Sequence, residues 1–160
     1  MTMVFAPGSD LHLKGKRQFG CEGKKSTMKN EGLNRLLPDF PRSLGITLTE
    51  CNTEAVAGEM TVRPEHANRN GVMHGGAIMA FADALGGTAA ALNLDEGQMT
   101  TTVESKTNFL RAIAIGDRAT ARSIPLHRGR RTTIWQTTVS RADGKPAAIV
   151  IQTQMTLDRA

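Results

Sequence analysis

The chain has 160 residues and a formal net charge of +5, with 39% hydrophobic residues, 4% aromatic residues and no Tyr. That length supports one domain with a core of its own, which Leu, Ile, Val, Met and Ala must build because aromatic residues are scarce. No uncharged apolar run reaches the roughly 20 residues of a membrane span, and the two cysteines, Cys21 and Cys51, are too few for a disulfide framework or most Cys-based metal sites and fit a reducing cytoplasm.

The charge is concentrated at one end. Residues 1–30 hold Lys14, Lys16, Arg17, Lys24, Lys25 and Lys29 against Asp10 and Glu22, which leaves only +1 for the rest. This leader has no clear periodicity and reads as a disordered basic tail. Aromatic residues that would stack on bases are nearly absent from it, with only Phe5 and Phe19, so no nucleic-acid partner is expected. It also lacks an apolar h-region, so no secretory signal is expected. Residues 31–160 form the expected domain.

Glu31–Phe40 is predicted to be a short helix with Leu33, Leu36 and Leu37 on one face and Pro38 as its stop. Leu44–Asn52 alternates Leu44, Ile46 and Leu48 with Gly and Thr, the period of a strand. Ala55–Arg63 alternates again through Val56, Gly58, Met60 and Val62, and Thr53-Glu54 closes a hairpin between the two. After a polar loop, the stretch from Val72 to Leu92 is apolar or tiny except at one position and reads as a helix packed on most of its sides. Four further strands are expected: Thr100–Leu110, with Val103, Ser105, Thr107 and Phe109 in phase; Asp117–Leu126; Thr132–Arg141; and Lys145–Leu157, with Ala147, Ile149, Ile151, Thr153, Met155 and Leu157 in phase. Turns at Ala114–Asp117, His127–Arg130 and Ala142–Lys145 separate them in meander order. The expected class is α+β, with a curved antiparallel sheet wrapped around one long central helix, the hotdog arrangement.

Asp83 is the only charged residue between His74 and Leu94. A carboxylate there loses hydration, which is costly without a partner or a task. Upstream stands Asn68-Arg69-Asn70-Gly71-Val72-Met73-His74-Gly75-Gly76, so that Asn lies six residues before His and the acid nine after it. With this spacing the chain resembles the hotdog-fold acyl-CoA thioesterases, especially the phenylacetate-pathway (PaaI-like) and aryl-CoA branch, over about residues 33–158. Thr107–Arg111 and His127–Thr132, with Trp135-Gln136, add weaker support.

The chemistry can also be argued from the residues. Thioester hydrolysis needs a donor for the developing oxyanion, a carboxylate to attack or to activate water, and a group that places that water. Gly75 at a helix N-terminus offers a free N–H and the positive end of the helix dipole, and glycine lets a carbonyl approach the backbone closely. His74 would steady the loop or the carbonyl. Asn68 would hold the attacking water or the sulfur leaving group. The resemblance implies that Asp83 acts as nucleophile or general base, that Gly75 is the oxyanion donor with His74 beside it, and that Thr102 is the hydroxyl that orients water. It further implies that Arg128, Arg130 and Arg131 meet the phosphates of coenzyme A, for which the guanidinium fork is suited. Coenzyme A would then be a released product and no cofactor would be bound.

Gly75 and Asp83 are eight residues apart, about 12 Å along a helix. A reacting carbon must lie about 3 Å from both its attacker and its oxyanion donor. One chain cannot supply both to the same thioester, but two chains related by a two-fold axis can. A homodimer is therefore expected, and the resemblance adds further pairing into a tetramer. Met79, Phe109 and Trp135 read more readily as core than as wall of an acyl pocket. Two rivals stand beside hydrolysis. A hotdog hydratase or dehydratase would use a different His-containing loop, which is absent from the sequence. A non-catalytic acyl-CoA-binding protein is the other. His12, His66, His74 and His127 have no metal-ligand spacing.

Overall fold

The structure, a computed structural model, describes residues 4–5 and 30–159. The expected disordered leader falls outside the described residues, save for a two-residue strand, β1 (Val4–Phe5), that pairs with Thr100 and Thr101. The domain begins with α1 (Asn30–Leu33), which tightens into a 3-10 turn at Asn34–Leu36. Pro38 does not simply stop this helix. It caps a second one, α2 (Asp39–Ser43), because a proline that cannot continue a helix is well suited to precede the next. Leu33 and Leu37 are buried, whereas Leu36 points outward.

The hairpin of β2 (Thr47–Cys51) and β3 (Val56–Thr61) forms as its alternation predicts, with Ile46, Leu48, Val56, Met60 and Val62 buried. Asn52 shapes its turn by accepting the Glu54 and Ala55 amides at its side-chain oxygen. The long helix α3 (Gly75–Ala91) follows, then β4 (Gln98–Phe109), β5 (Arg118–Arg128), β6 (Thr132–Ser140) and β7 (Pro146–Asp158). The strands make one antiparallel sheet in the order β1-β4-β7-β6-β5-β3-β2. Only β5, β6 and β7 run as a meander. β4 passes by its sequence neighbour β5 and pairs with β7 at the far side, which lets the sheet curve around both flanks of α3. This is the hotdog fold expected from the sequence.

The helix packs on β3, β4, β5, β6 and β7. Phe81 and Leu85 are fully buried and share one core with Trp135, Val139 and Val150. Burial of such side chains, roughly 1.5–3 kcal/mol each, is what holds helix and sheet together. Trp135 is core, as predicted; Met79 and Phe109 are not, with 40% and 54% of their surface exposed.

β7 takes a different phase from the one its hydrophobicity suggests, and β4 departs from its expected phase at Val103. In β7 the inward residues are Ala148, Val150, Gln152 and Gln154, while Ile149, Ile151 and Thr153 lie on the half-exposed outer face and Met155 is exposed. In β4 a bulge between Thr102 and Glu104 shifts the register. Ser105 and Thr107 consequently face inward opposite Gln152 and Val150, and Val103 is left exposed. No helix among the described residues is long and apolar enough to cross a membrane.

Candidate active site

The entrance to α3 is a folded loop. Asn68 Oδ1 accepts the amides of Asn70 (2.8 Å) and Val72 (3.4 Å), and its main chain closes on Val72 and Gly71. Its side-chain oxygen is therefore occupied in the loop, and only Nδ2 is free among the described residues to reach a substrate atom. Bridges from Ala67 to Met73 and from Val72 to Ala114 tie the loop to the body, and His74 N–H donates to the His66 carbonyl at 2.8 Å. His66 is itself buried and accepts the Arg63 amide at Nδ1.

His74 is the N-cap of α3. Its Nδ1 accepts the Gly76 amide at 2.8 Å, which places the ring proton on Nε2. The Ala77 and Ile78 amides both go to the His74 carbonyl. The Gly75 N–H, by contrast, donates to nothing among the described residues and stands at the positive end of a 17-residue helix. The Phe109 ring lies over it. A Cβ built on Gly75 would meet Phe109 Cζ at 3.0 Å, so glycine is what allows this approach. Phe109 and the nearby Met79 thus border the entrance as exposed apolar side chains.

Asp83 lies two turns further along, half-buried. Its Oδ1 accepts a hydrogen bond from Gln152 Nε2 at 2.7 Å and a longer one from Thr102 Oγ1 at 3.4 Å. Oδ2 has no partner among the described residues. Thr102 Oγ1 in turn accepts from Gln154 Nε2 at 2.8 Å, and Thr100 Oγ1 donates to Gln154 Oε1 at 3.3 Å. The acid is therefore the end of a polar chain that runs through β4 and β7. Burial pushes its pKa above the ordinary carboxylate value, and the hydrogen bonds from Gln152 and Thr102 pull back against that rise.

The structure places Thr102 against Asp83, as a donor to the acid itself, whereas the resemblance implies a hydroxyl that orients water. It also adds Gln152 and Gln154, which the sequence reading placed on neither face of the site. Their signal was two glutamines at alternate positions after the apolar run Ala147–Ile151 of that strand. Gln152 Oε1 is buried without a partner, a cost on the order of 1–3 kcal/mol. Gly86, one turn beyond Asp83 on α3, makes room for this oxygen, since a Cβ there would sit 2.0 Å from it.

The three arginines are not gathered at Asp83. Arg128 is committed to Glu54 at 3.0 Å and to the Thr53 carbonyl, with its guanidinium 5.7 Å above the Trp135 ring. Arg130 borders a polar cavity of about 200 Å³ with Asn93, Asp95 and Gln98, at the C-terminal end of α3. Arg131 is exposed. Neither Arg130 nor Arg131 forms an ion pair among the described residues. The Arg130 cavity and the Gly75 amide thus lie at opposite ends of one helix.

A long helix held in a curved antiparallel sheet, with an HGG bend at its start and an acid in its middle, has the form of a hotdog thioesterase. The sequence profile of the thioesterase superfamily matches residues 70–148. A Haemophilus influenzae protein carrying an esterase name is 31% identical over 122 residues, which cover 76% of this chain and 88% of that one. The proofreading thioesterase EntH of Klebsiella pneumoniae is 31% identical over 64% of this chain and 74% of its own. Among solved structures, the thioesterase HI1161 of Haemophilus influenzae superposes with a TM-score of 0.75 at 27% identity, covering 84% of this chain and 94% of that one. A variant of the Pseudomonas aeruginosa thioesterase PA1618 gives 0.75 at 29% identity, covering 84% and 97%. The chain belongs to the thioesterase superfamily.

Proposed function

We propose that the protein hydrolyses acyl-CoA thioesters with an aryl or medium-chain acyl group, at sites shared between two copies of the chain. The observation that carries this reading is the split within α3. An unpartnered Gly75 N–H and an Asp83 carboxylate with one free oxygen lie on the same helix about 12 Å apart, too far to serve one carbonyl together. In a two-fold dimer each protomer lends Gly75 to one site and Asp83 to the other.

The oxyanion forms against Gly75 N–H and the helix dipole. Asp83 adds to the carbonyl carbon or removes a proton from the water that does. The C–S bond breaks and the thiolate leaves, taking up a proton from water or from the protonated acid to become coenzyme A; where Asp83 itself has attacked, the acyl group stays on it as a mixed anhydride that a second step with water cleaves to the free acid and the regenerated carboxylate. Asn68 Nδ2 is the free donor for the water or for the departing sulfur. The exposed Phe109 and Met79 beside Gly75 favour an apolar acyl group, and Arg130 and Arg131 are the cations still free to meet the phosphates of coenzyme A. The half-exposed apolar outer face of β7 suits further pairing of dimers into a tetramer.

Complementation tests the shared site. Gly75→Pro removes the amide hydrogen at the first helical position, after a His74 whose extended backbone suits a following proline; because its Cβ would also press on the Phe109 ring at 3.0 Å, Gly75→Ala, which adds the same carbon and keeps the N–H, is the control. Asp83→Asn removes the acid. Each variant alone should release little thiol from phenylacetyl-CoA or hexanoyl-CoA. Chains mixed by co-expression should regain about a quarter of wild-type activity, because half the dimers are mixed and each carries one intact site. Absence of any recovery in verified mixed dimers would reject the shared site. Wild-type protein that binds these esters without releasing thiol would instead identify a non-catalytic binder.

A further inference from the structure

Gln152 is completely buried, donates to Asp83 Oδ1, and leaves its own Oε1 without a partner against Gly86. We propose that Gln152 is a positioning residue of the site, clamping Asp83 Oδ1 so that Oδ2 alone meets the thioester or its water, and that Gly86 is required to seat that clamp. The inference rests on the reading of Asp83 as the working acid.

The placement has no simpler structural purpose. Gln152 occupies an inward position of β7 between Val150 and Gln154, opposite Ser105, where an apolar side chain would fill the space without orphaning an oxygen. Only its amide nitrogen can face an ionised acid, so the orphaned oxygen is the necessary counterpart of the contact. A neutral donor also fixes an acid without the strong pull of a neighbouring cation on its proton affinity. Among the described residues no cation replaces it, and Arg128 at the end of β5 is paired with Glu54. Glu104 and Lys106 of β4 register with Thr153 and Ile151 on the outer face. On β5, Arg118 pairs with Glu59 of β3 and Arg122 with Glu50 of β2, and β6 carries no charge. Burial, Gln152 and Thr102 are the influences on Asp83.

Gly86 supplies an independent handle. A methyl group there would stand 2.0 Å from Gln152 Oε1 and 3.0 Å from its Cδ. Gly86→Ala therefore pushes the amide off Asp83 from the helix side while changing no side chain that touches the acid.

The test uses the full chain in wild-type form and as Gln152→Met, which keeps volume and removes the donor, Gln152→Glu, and Gly86→Ala. The Asp83 carboxyl is titrated by carbon-13 NMR, and hydrolysis of phenylacetyl-CoA and hexanoyl-CoA is followed by thiol release. Losing a donor to the ionised form favours the protonated form. The titration should move to higher pH in Gln152→Met and Gly86→Ala, and furthest in Gln152→Glu, where a second carboxylate faces the first. The acid limb of kcat/KM should move in the same direction. kcat should fall about tenfold or more with KM changed less than about twofold, the pattern of a contact that matters in the transition state. Gly86→Ala combined with Gln152→Met should be no worse than the poorer single variant, because both remove one contact.

A folded Gln152→Met with wild-type titration and kcat overturns the clamp, as does a drop in kcat with an unmoved titration. If Gln152→Met does not fold, Gly86→Ala decides by the same two readouts. The two ideas fail separately. An Asp83→Asn chain of wild-type activity removes the catalytic reading and the clamp with it, whereas an inactive Asp83→Asn beside an unaffected Gln152→Met removes the clamp alone.

Discussion

At its start α3 offers a main-chain donor that faces outward; two turns later it holds a side-chain acceptor that is half-buried. The first region is built from geometry. His74 caps the helix through Nδ1, glycine admits the Phe109 ring, and the Gly75 amide stays free. The second is built from neighbours. Asp83 depends on Thr102 from β4 and Gln152 from β7, residues 19 and 69 positions away in the chain. A donor made from backbone needs only the right turn, whereas an oriented acid needs the whole sheet. The difference predicts how each region fails when it is altered.

The acid should fail hardest. Asp83→Asn is expected to lower kcat about a thousandfold, within the range for losing a positioned base, while the chain stays folded by circular dichroism. Retention of more than a tenth of the activity would break the assignment. The donor should fail less, because the helix dipole survives its loss. Gly75→Pro is expected to cost about a hundredfold in kcat, and the two losses should be measured on the same ester so that the ranking is direct.

Charges at the far end of α3 should matter least to chemistry. Arg130→Ala with Arg131→Ala is expected to raise KM a few-fold with kcat retained, an effect that shrinks as salt is added because exposed cations are screened. An equal fall in kcat would place these arginines nearer the reacting bond than the fold does. The smallest effect is thermodynamic. Burial raises the pKa of Asp83, so the folded chain holds its proton at pH values where the unfolded chain has released it. Stability from this group is therefore lost as pH rises from the ordinary carboxylate value through the raised one. Asp83→Asn should be the more stable protein in urea at neutral pH, and the gap should close on acidification.

Local pattern made much of this visible. α3 was legible because 17 residues of small and apolar side chains with one acid allow no other reading, and the His-Gly-Gly bend marked its start to within a residue. Strand bounds followed from alternation. Pairing did not, since the choice of β7 over β5 as the partner of β4 is made at long range, and β4 carries a bulge that alternation cannot announce. The phase of β7 departs from its hydrophobic pattern for a physical reason. Ile149, Ile151 and Met155 are more apolar than Ala148, Gln152 and Gln154, but the inward face was needed for the polar chain behind Asp83. Asn68 and His74 show the same limit. Residue type alone left His74 between the loop and the carbonyl, and its Nδ1 caps the loop; the Asn68 oxygen is likewise taken up by the loop, which leaves Nδ2 as the atom open to substrate.

Gly86 turns this arrangement into a constraint on redesign. A glycine inside a helix costs roughly 1 kcal/mol relative to alanine, so replacing it is among the first changes an engineer seeking heat tolerance would make. At this position the usual gain is cancelled, because the added methyl group would stand 2.0 Å from the buried Gln152 oxygen and such overpacking costs about 1–3 kcal/mol; a design rule that replaces helix glycines without regard to what faces them would fail here.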